Sequence, residues 1–361
     1  MLSGSARGKC AVLGAGAWGT AVALHMARRG FAVFLVPRDD AHAERMGRER
    51  SNGEYLPDIG FPENLRVEPS FSILSAVDFA FLACPSAGVR EFCQRIAAVS
   101  LAGRTPPPLI TLCKGLIPET LRLPLLEVEE LLPGWATAVL SGPTHALDVA
   151  RGLPTSAVLA SRSDHLLELQ SWIHSPQFRL YRTDDVRGVE LAGCLKNPYA
   201  IGMGIASAQN PGDNGRAALF TRMLWEMARI GEALGGRRET FFGLSGLGDF
   251  LATAEGRWSR NRSFGERIGR GESAEKILAA EKITVEGYRA AAGFHGICHG
   301  RSISCPILDE ICAILHGGRS PQDSFSALVH REMRGEDGGA GCAADEFCHT
   351  SALSPDPGRP L

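Results

Sequence analysis

From Lys9 to about Asp184, short apolar runs alternate with amphipathic segments. That alternation marks repeated strand and helix units around a mostly parallel sheet, in which strands are buried on both faces and helices carry one apolar stripe. It predicts strands at Cys10–Leu13, Ala32–Val36, Phe79–Ala83, Leu109–Leu112, Ala138–Leu140, Ser156–Ala160 and Phe178–Tyr181, with helical segments between most of them. After Val189 the period changes. The stretches ELAGCLKNPYAIGMGIASA and RAALFTRMLWEMARIGEALGG space their apolar residues by three and four, which predicts helices only, with Gly235-Gly236 as a helix stop. From Arg334 onward Gly, Pro and small polar residues dominate, and the segment 334–361 is expected to be a disordered tail because it cannot bury enough apolar surface.

Composition narrows this picture. With 361 residues, 44% of them apolar and 22% charged, the chain can build a sizeable core without covalent staples. Lys and Arg total 38 against 40 Asp and Glu, a formal charge of −2, so no global field draws the molecule to nucleic acid or anionic lipid. Any anion site must be local. No apolar run approaches the ~20 residues that span a bilayer, and Met1 to Lys9 lacks the apolar core of a secretion signal, so a cytoplasmic location is expected. The ten cysteines contain no Cys-x-x-Cys pair and several sit inside apolar segments, which reads as buried free thiols, with no metal expected.

The stretch LGAGAWGTAVALHMARRG places Gly14, Gly16 and Gly19 between an apolar strand and a helix that ends in Arg-Arg-Gly. In that setting Gly14 permits a sharp turn, Gly16 lets backbone amides approach a pyrophosphate, and Gly19 allows the helix to pack close to the strand. The second strand runs into PRDD, where Arg38 could pair with a ribose 2′-phosphate and Asp39 could accept from a 2′-hydroxyl. Both NAD and NADP stay open on that reading.

Further stretches form a pattern: SGPTHALDVARGLPT, VELAGCLKNPYAIGMGIA, GDNGRAALFTRMLWEMARIGEALGG and FFGLSGLGDFLATAEGRWSRNRSFG, together with GAGAWGTA, YLPDIGFP, LCKGL and VEGYR. In this order, from about Lys9 to Met333, they resemble the signature segments of bacterial NAD(P)-dependent glycerol-3-phosphate dehydrogenases. The resemblance implies an α/β fold with a Rossmann-type, mostly parallel dinucleotide-binding domain over residues 1–189 and an all-helical substrate domain over 190–333. It implies hydride transfer between NAD(P)H and dihydroxyacetone phosphate to give sn-glycerol 3-phosphate, the backbone of phospholipids, and a homodimer.

The resemblance also implies roles for particular residues. Lys196 matches the lysine that exchanges a proton with the C2 oxygen. Lys114 matches a contact to substrate and cofactor, and Asp249, with Thr253 four residues on, matches positions beside the substrate hydroxyls. Ser259, Arg260 and Asn261 match the phosphate end of the substrate, with Arg260 also at the cofactor. Gly142 and Thr144 line the substrate, and Ala146 lines the nicotinamide. Gly14, Gly16, Ala17, Trp18, Gly19, Arg38 and Glu286 complete the cofactor positions. Physical chemistry agrees with the types: a lysine in an apolar helix is costly to bury and needs a charged partner, and arginine holds phosphate with two parallel bonds. His145 reads as packing.

Departures from the pattern are equally specific. Pro198 deletes a backbone donor directly after the Lys196-Asn197 pair, where it is expected to disturb Lys196 if it lies in a helix interior. Gln209-Asn210-Pro211 interrupts an otherwise apolar segment, although Asn214 is kept. These departures leave a second reading, a dinucleotide-binding or redox-sensing protein with impaired catalysis.

Overall fold

The structure, a computed structural model, describes residues 7–163, 165–281 and 285–330. The segment 334–361, expected to be disordered, lies outside the described residues.

The strands are β1 (Lys9–Leu13), β2 (Ala32–Val36), β3 (Leu65–Val67), β4 (Phe79–Leu82), β5 (Leu109–Thr111), β6 (Thr137–Ser141), β7 (Thr155–Ala160) and β8 (Phe178–Thr183). They form one eight-stranded sheet in the order β3-β2-β1-β4-β5-β6-β7-β8. All neighbours are parallel except β6 and β7, which run antiparallel. The strands read from the apolar runs are all present. The pattern does not reveal β3, because Leu65-Arg66-Val67 is too short to show a period and carries a charge at its centre.

Helices α1 (Ala17–Arg28), α2 (Asp40–Glu49), α3 (Val89–Ala97), α4 (Pro124–Leu131), α5 (Ala146–Arg151) and α6 (Leu166–Ile173) connect the strands. One apolar cluster fills the sheet face under α1, with Leu24, Met26 and Phe31 against Phe79 and Phe81. Another lies on the opposite face, where Val89, Phe92 and Ile96 of α3 meet Leu82 and Leu109. Covering both faces is what allows strands such as β4 to be buried at every position.

The remaining helices follow the sheet: α7 (Val186–Ala208), α8 (Gly212–Ala233), α9 (Arg238–Phe242), α10 (Asp249–Glu255), α11 (Arg260–Gly269), α12 (Ala274–Glu281), α13 (Glu286–Gly300), α14 (Pro306–Gly317) and α15 (Pro321–Val329). Helix α7 is apolar on nearly all sides and buried on nearly all sides, as a central helix must be. Helix α11 crosses it at backbone distance. A Cβ on Gly204 would meet Arg262 O at 2.2 Å, and one on Gly265 would meet Ile201 O at 2.1 Å, so neither helix could carry a larger residue at the crossing.

The last strand ends at Thr183 and α7 begins at Val186, so the change of character placed at Val189 falls in the first turn of α7. Asp185 seals this junction. Its carboxylate caps α7 by accepting from Gly188 N at 3.0 Å and reaches α9 by accepting from Arg237 N at 2.9 Å and Thr240 Oγ1 at 2.6 Å. Glu190 ties α7 to α4 by accepting from Leu125 N at 2.8 Å, and burial pushes its carboxyl up to about 8.

His25 is the corresponding tie in the sheet half. Its Nε2 lies 2.7 Å from Ile173 O, and its ring packs 4.6 Å from that of Phe178. Burial pushes its pKa down to about 4, against the carbonyl bond, which favours the charged form. The unfolded chain takes up this proton near pH 6.5 and the folded chain resists until about 4, so stability present above 6.5 is lost as pH falls between those values. Relative to a His25→Gln variant, the protein is expected to lose ~1.4 kcal/mol per pH unit within that window, read as urea midpoints at several pH values. Equal pH slopes for the two proteins would refute the assignment.

Candidate active site

The cleft between the sheet and the helices is organised around one carboxylate. Asp249 opens α10 directly after a π-helical turn, Leu244–Gly248, that is packed so tightly that a Cβ on Gly246 would meet Phe241 O at 2.0 Å. Such turns widen the helix locally and re-aim the residue that follows. Asp249 Oδ1 lies 2.7 Å from Lys196 Nζ, and Oδ2 lies 2.7 Å from Lys114 Nζ. Lys196 comes from the middle of α7 and Lys114 from the loop after β5, so the ion triad joins both halves of the molecule.

The two lysines differ in what they have left to give. An ammonium has three N–H groups. Lys114 donates to Asp249, to Gly142 O at 2.9 Å and to Thr144 Oγ1 at 3.2 Å, which spends all of them. Lys196 donates to Asp249 and to Thr253 Oγ1 at 2.7 Å, and Thr253 in turn donates to Asp249 O at 2.7 Å. Among the described residues, nothing accepts its third N–H. Burial pulls the Lys114 ammonium below the ordinary lysine value, against the opposing pull of Asp249.

The helix-interior position of Pro198 is confirmed, yet Lys196 is not displaced. The bond that Pro198 cannot make to Cys194 O spans Lys196, yet the contacts of the lysine to Asp249 and Thr253 still close at 2.7 Å. Asn197, which sequence reasoning tied only to this uncertainty, has a positioning task of its own. Its Nδ2 donates to Lys114 O at 2.7 Å, and its Oδ1 accepts from Asn261 Nδ2 at 2.9 Å. Asn261 Oδ1 accepts from Gly287 N at 3.2 Å, so two amides link the loop after β5 with α7, α11 and α13. Adjacency to Lys196 was the only sequence signal for Asn197.

Ser259 caps α11 by accepting from Arg262 N at 3.2 Å, and Arg260 projects from the first turn with its side chain exposed. A helix N-terminus beside an exposed guanidinium is an arrangement that can hold an anion. Arg260 also acts electrostatically on Tyr55 of YLPDIGFP, from the sheet half. Gly142 follows β6 at φ 138°, where a Cβ would come within 3.0 Å of Ala157 Cα, and Ala146 opens α5. His145 stacks on Trp258 at 4.2 Å. Asn214 is exposed in the first turn of α8, away from the triad's hydrogen bonds.

The glycine loop fits a dinucleotide on this structure's own terms. Gly14 has φ 114° and lies against β4, where a Cβ would meet Ala83 O at 2.6 Å; a Cβ on Gly19 would meet Gly14 O at 2.0 Å. Gly16 instead faces open space at the N-terminus of α1, which no side chain caps and which carries no acidic residue in its first turn. Ala17 and Trp18 form that first turn, and the Trp18 indole Nε1 is buried without a hydrogen-bond partner. Glu286 opens α13 against the Lys114-Gly115 turn, its Cδ 3.4 Å from where a Gly115 Cβ would sit. Arg38 lies just past β2 with its guanidinium 3.7 Å from Glu91 and mostly exposed. Asp39 Oδ1 caps α2 by accepting from His42 N at 2.8 Å.

Residues 9–167 match the N-terminal region, and residues 185–326 the C-terminal region, of NAD-dependent glycerol-3-phosphate dehydrogenase. A glycerol-3-phosphate dehydrogenase [NAD(P)+] of Thiobacillus denitrificans is 42% identical over 333 residues, covering 91% of this chain and 99% of the relative. The chain belongs to the NAD-dependent glycerol-3-phosphate dehydrogenase family. The crystal structure of a glycerol-3-phosphate dehydrogenase from Coxiella burnetii superposes with a TM-score of 0.84 at 36% identity, covering 90% of this chain and 99% of that one. A ketopantoate reductase from Ralstonia eutropha shares the fold alone, at a TM-score of 0.57 and 14% identity over 88% of this chain and 99% of that one. Fold by itself therefore does not choose the substrate; the site residues of this glycerol-3-phosphate dehydrogenase family member must.

The triad makes Asp249 costly to remove. Asp249→Ala would leave two buried ammonium groups facing each other, with an expected loss of about 3–5 kcal/mol in urea unfolding. Adding Lys196→Met should recover part of that loss, and a double variant no more stable than the single one would contradict the triad.

Proposed function

We propose that this glycerol-3-phosphate dehydrogenase family member reduces dihydroxyacetone phosphate to sn-glycerol 3-phosphate with NADH or NADPH, reversibly, with Lys196 as the proton-transfer residue. The observation that carries the assignment of Lys196 is the count of hydrogen-bond donors: of the two lysines on Asp249, only Lys196 keeps an N–H for a substrate oxygen.

The cofactor would lie with its phosphates on the α1 N-terminus at Gly14, Gly16 and Gly19, against Ala17 and Trp18, and when bound supplies the hydride. The residues of the chain do the rest. Lys196 donates to the C2 oxygen as negative charge develops there and takes the proton back in the oxidation direction. Asp249 and Thr253 hold the ammonium in place. With two lysines on one carboxylate, the triad carries a net positive charge in a site largely closed to water, which favours an anionic substrate. Lys114, Gly142 and Thr144 form the wall facing the substrate, and Lys114 reaches a ligand by exchanging one of its present bonds. Ser259, Arg260 and Asn261 receive the phosphate, while Ala146, Arg260 and Glu286 border the cofactor. The Arg38 guanidinium, mostly exposed and held by a 3.7 Å ion pair to Glu91, can exchange that partner for a 2′-phosphate, which supports use of NADPH beside NADH.

No described helix is long and apolar enough to cross a membrane, and the described cysteines are free and buried, which supports a reducing, cytoplasmic setting. The homodimer is carried over from the family resemblance.

Absorbance at the reduced nicotinamide band, with dihydroxyacetone phosphate and NADH or NADPH, is expected to fall with both cofactors; no oxidation of either would refute the activity. Lys196→Ala is expected to lower kcat by about 10²- to 10⁴-fold with cofactor affinity kept, read by steady-state kinetics and cofactor titration. A parallel loss of cofactor affinity would count against its role. Arg260→Ala should raise the substrate KM on the order of 10- to 100-fold, and an unchanged KM would remove it from the phosphate site.

A further inference from the structure

His295 and His299 stand one turn apart on α13, with ring centroids 4.3 Å from each other. Asp309, in the first turn of α14, faces them both. Its Oδ1 lies 3.4 Å from His295 Nε2 and 2.9 Å from His299 Nε2. The Cys305 thiol, from the N-cap of α14, comes within 3.2 Å of the same oxygen. One carboxylate oxygen thus gathers two imidazoles and a thiol, more donors than the junction of two helices needs.

We propose that His295, His299 and Asp309, with water in the fourth position, form a binding site for a divalent transition-metal ion of the zinc class. A tetrahedral zinc with nitrogen and oxygen ligands at about 2.0–2.1 Å sets ligand-to-ligand edges of about 3.3–3.4 Å. The separations of the two imidazole nitrogens from Asp309 Oδ1, 3.4 Å and 2.9 Å, lie close to those edges. The His, His and Asp ligand atoms all fall within 4.8 Å of one another. The donor set excludes calcium and magnesium, which take oxygen shells, and suits zinc or cobalt. Both imidazoles are partly exposed, at 38% and 60%, so an ion can enter without unfolding. A cation there also lies at the C-terminal end of α13, the favourable end of that helix dipole.

The site stands apart from the chemistry. Glu286 borders the cleft at the start of α13, and thirteen residues of helix place His299 about 20 Å from it. The ion's task is to cross-link α13 to α14, not to touch substrate.

The test uses the full-length protein, freed of metal by chelation and titrated with zinc by calorimetry while its Tm is followed. Expected are saturable binding of one ion per chain, with a Kd on the order of 1 µM or tighter, and a rise in Tm. A His295→Gln/His299→Gln variant should lose both while keeping the metal-free enzyme's turnover. Cobalt should give the intense visible bands of a tetrahedral site, and those bands should vanish in the His295→Gln/His299→Gln variant. Absence of stoichiometric binding, or binding and Tm shift retained in the double variant, overturns the site. A weak, octahedral cobalt spectrum overturns the tetrahedral ligand set.

Discussion

The bidentate hold of Asp249 on Lys114 and Lys196 is the constraint from which the arrangement of the cleft follows. A buried ammonium needs a counter-charge, and here one carboxylate serves two ammonium groups supplied by different layers of the molecule. Lys114 arrives at the carboxyl end of a parallel strand, where loops open above the sheet and ligands gather. Lys196 arrives from a helix buried on nearly every side, and Asp249 from a widened turn that no ordinary α-helical register would produce. Fixing the three side chains therefore fixes how the helical half sits on the sheet. It also separates the lysines by role, since one is saturated and the other is not.

The Asn197–Asn261 bridge supports that constraint from behind. It holds the Lys114 backbone, the start of α11 and the start of α13 in one frame, so the cationic wall at Arg260 and the carboxylate of Glu286 are oriented by the same pair of amides that brace the triad. The residues proposed for proton transfer, phosphate binding and the cofactor border are thus joined by a short chain of hydrogen bonds.

Much of this could be read before the structure, for identifiable reasons. Buried parallel strands announce themselves as apolar runs, and the glycine loop as spacing between strand and helix, because each is a local property of the chain. Lys196 stood out because a charge in an apolar helix demands explanation. What escaped was set by distance in the fold or by brevity. Strand β3 is too short to show a period and exists because β2 offers it an edge. The task of Asn197 depends on a partner 64 residues away. Pro198 read locally as a threat to the site, but α7 continues through it and Lys196 still reaches Asp249 and Thr253. The His295, His299 and Asp309 cluster had no Cys-x-x-Cys signal, since its members come from two helices joined by a turn.

The seam at Asp185 bears on how such a chain can be divided. Because one carboxylate clamps the start of α7 and the start of α9, the passage from sheet to helices is no slack tether that a protease can enter or a gene fusion can exploit. The apolar wall of α7 leans on β6 as well as on its sister helices, so a fragment cut at that point would exchange an internal surface for a sticky outer one.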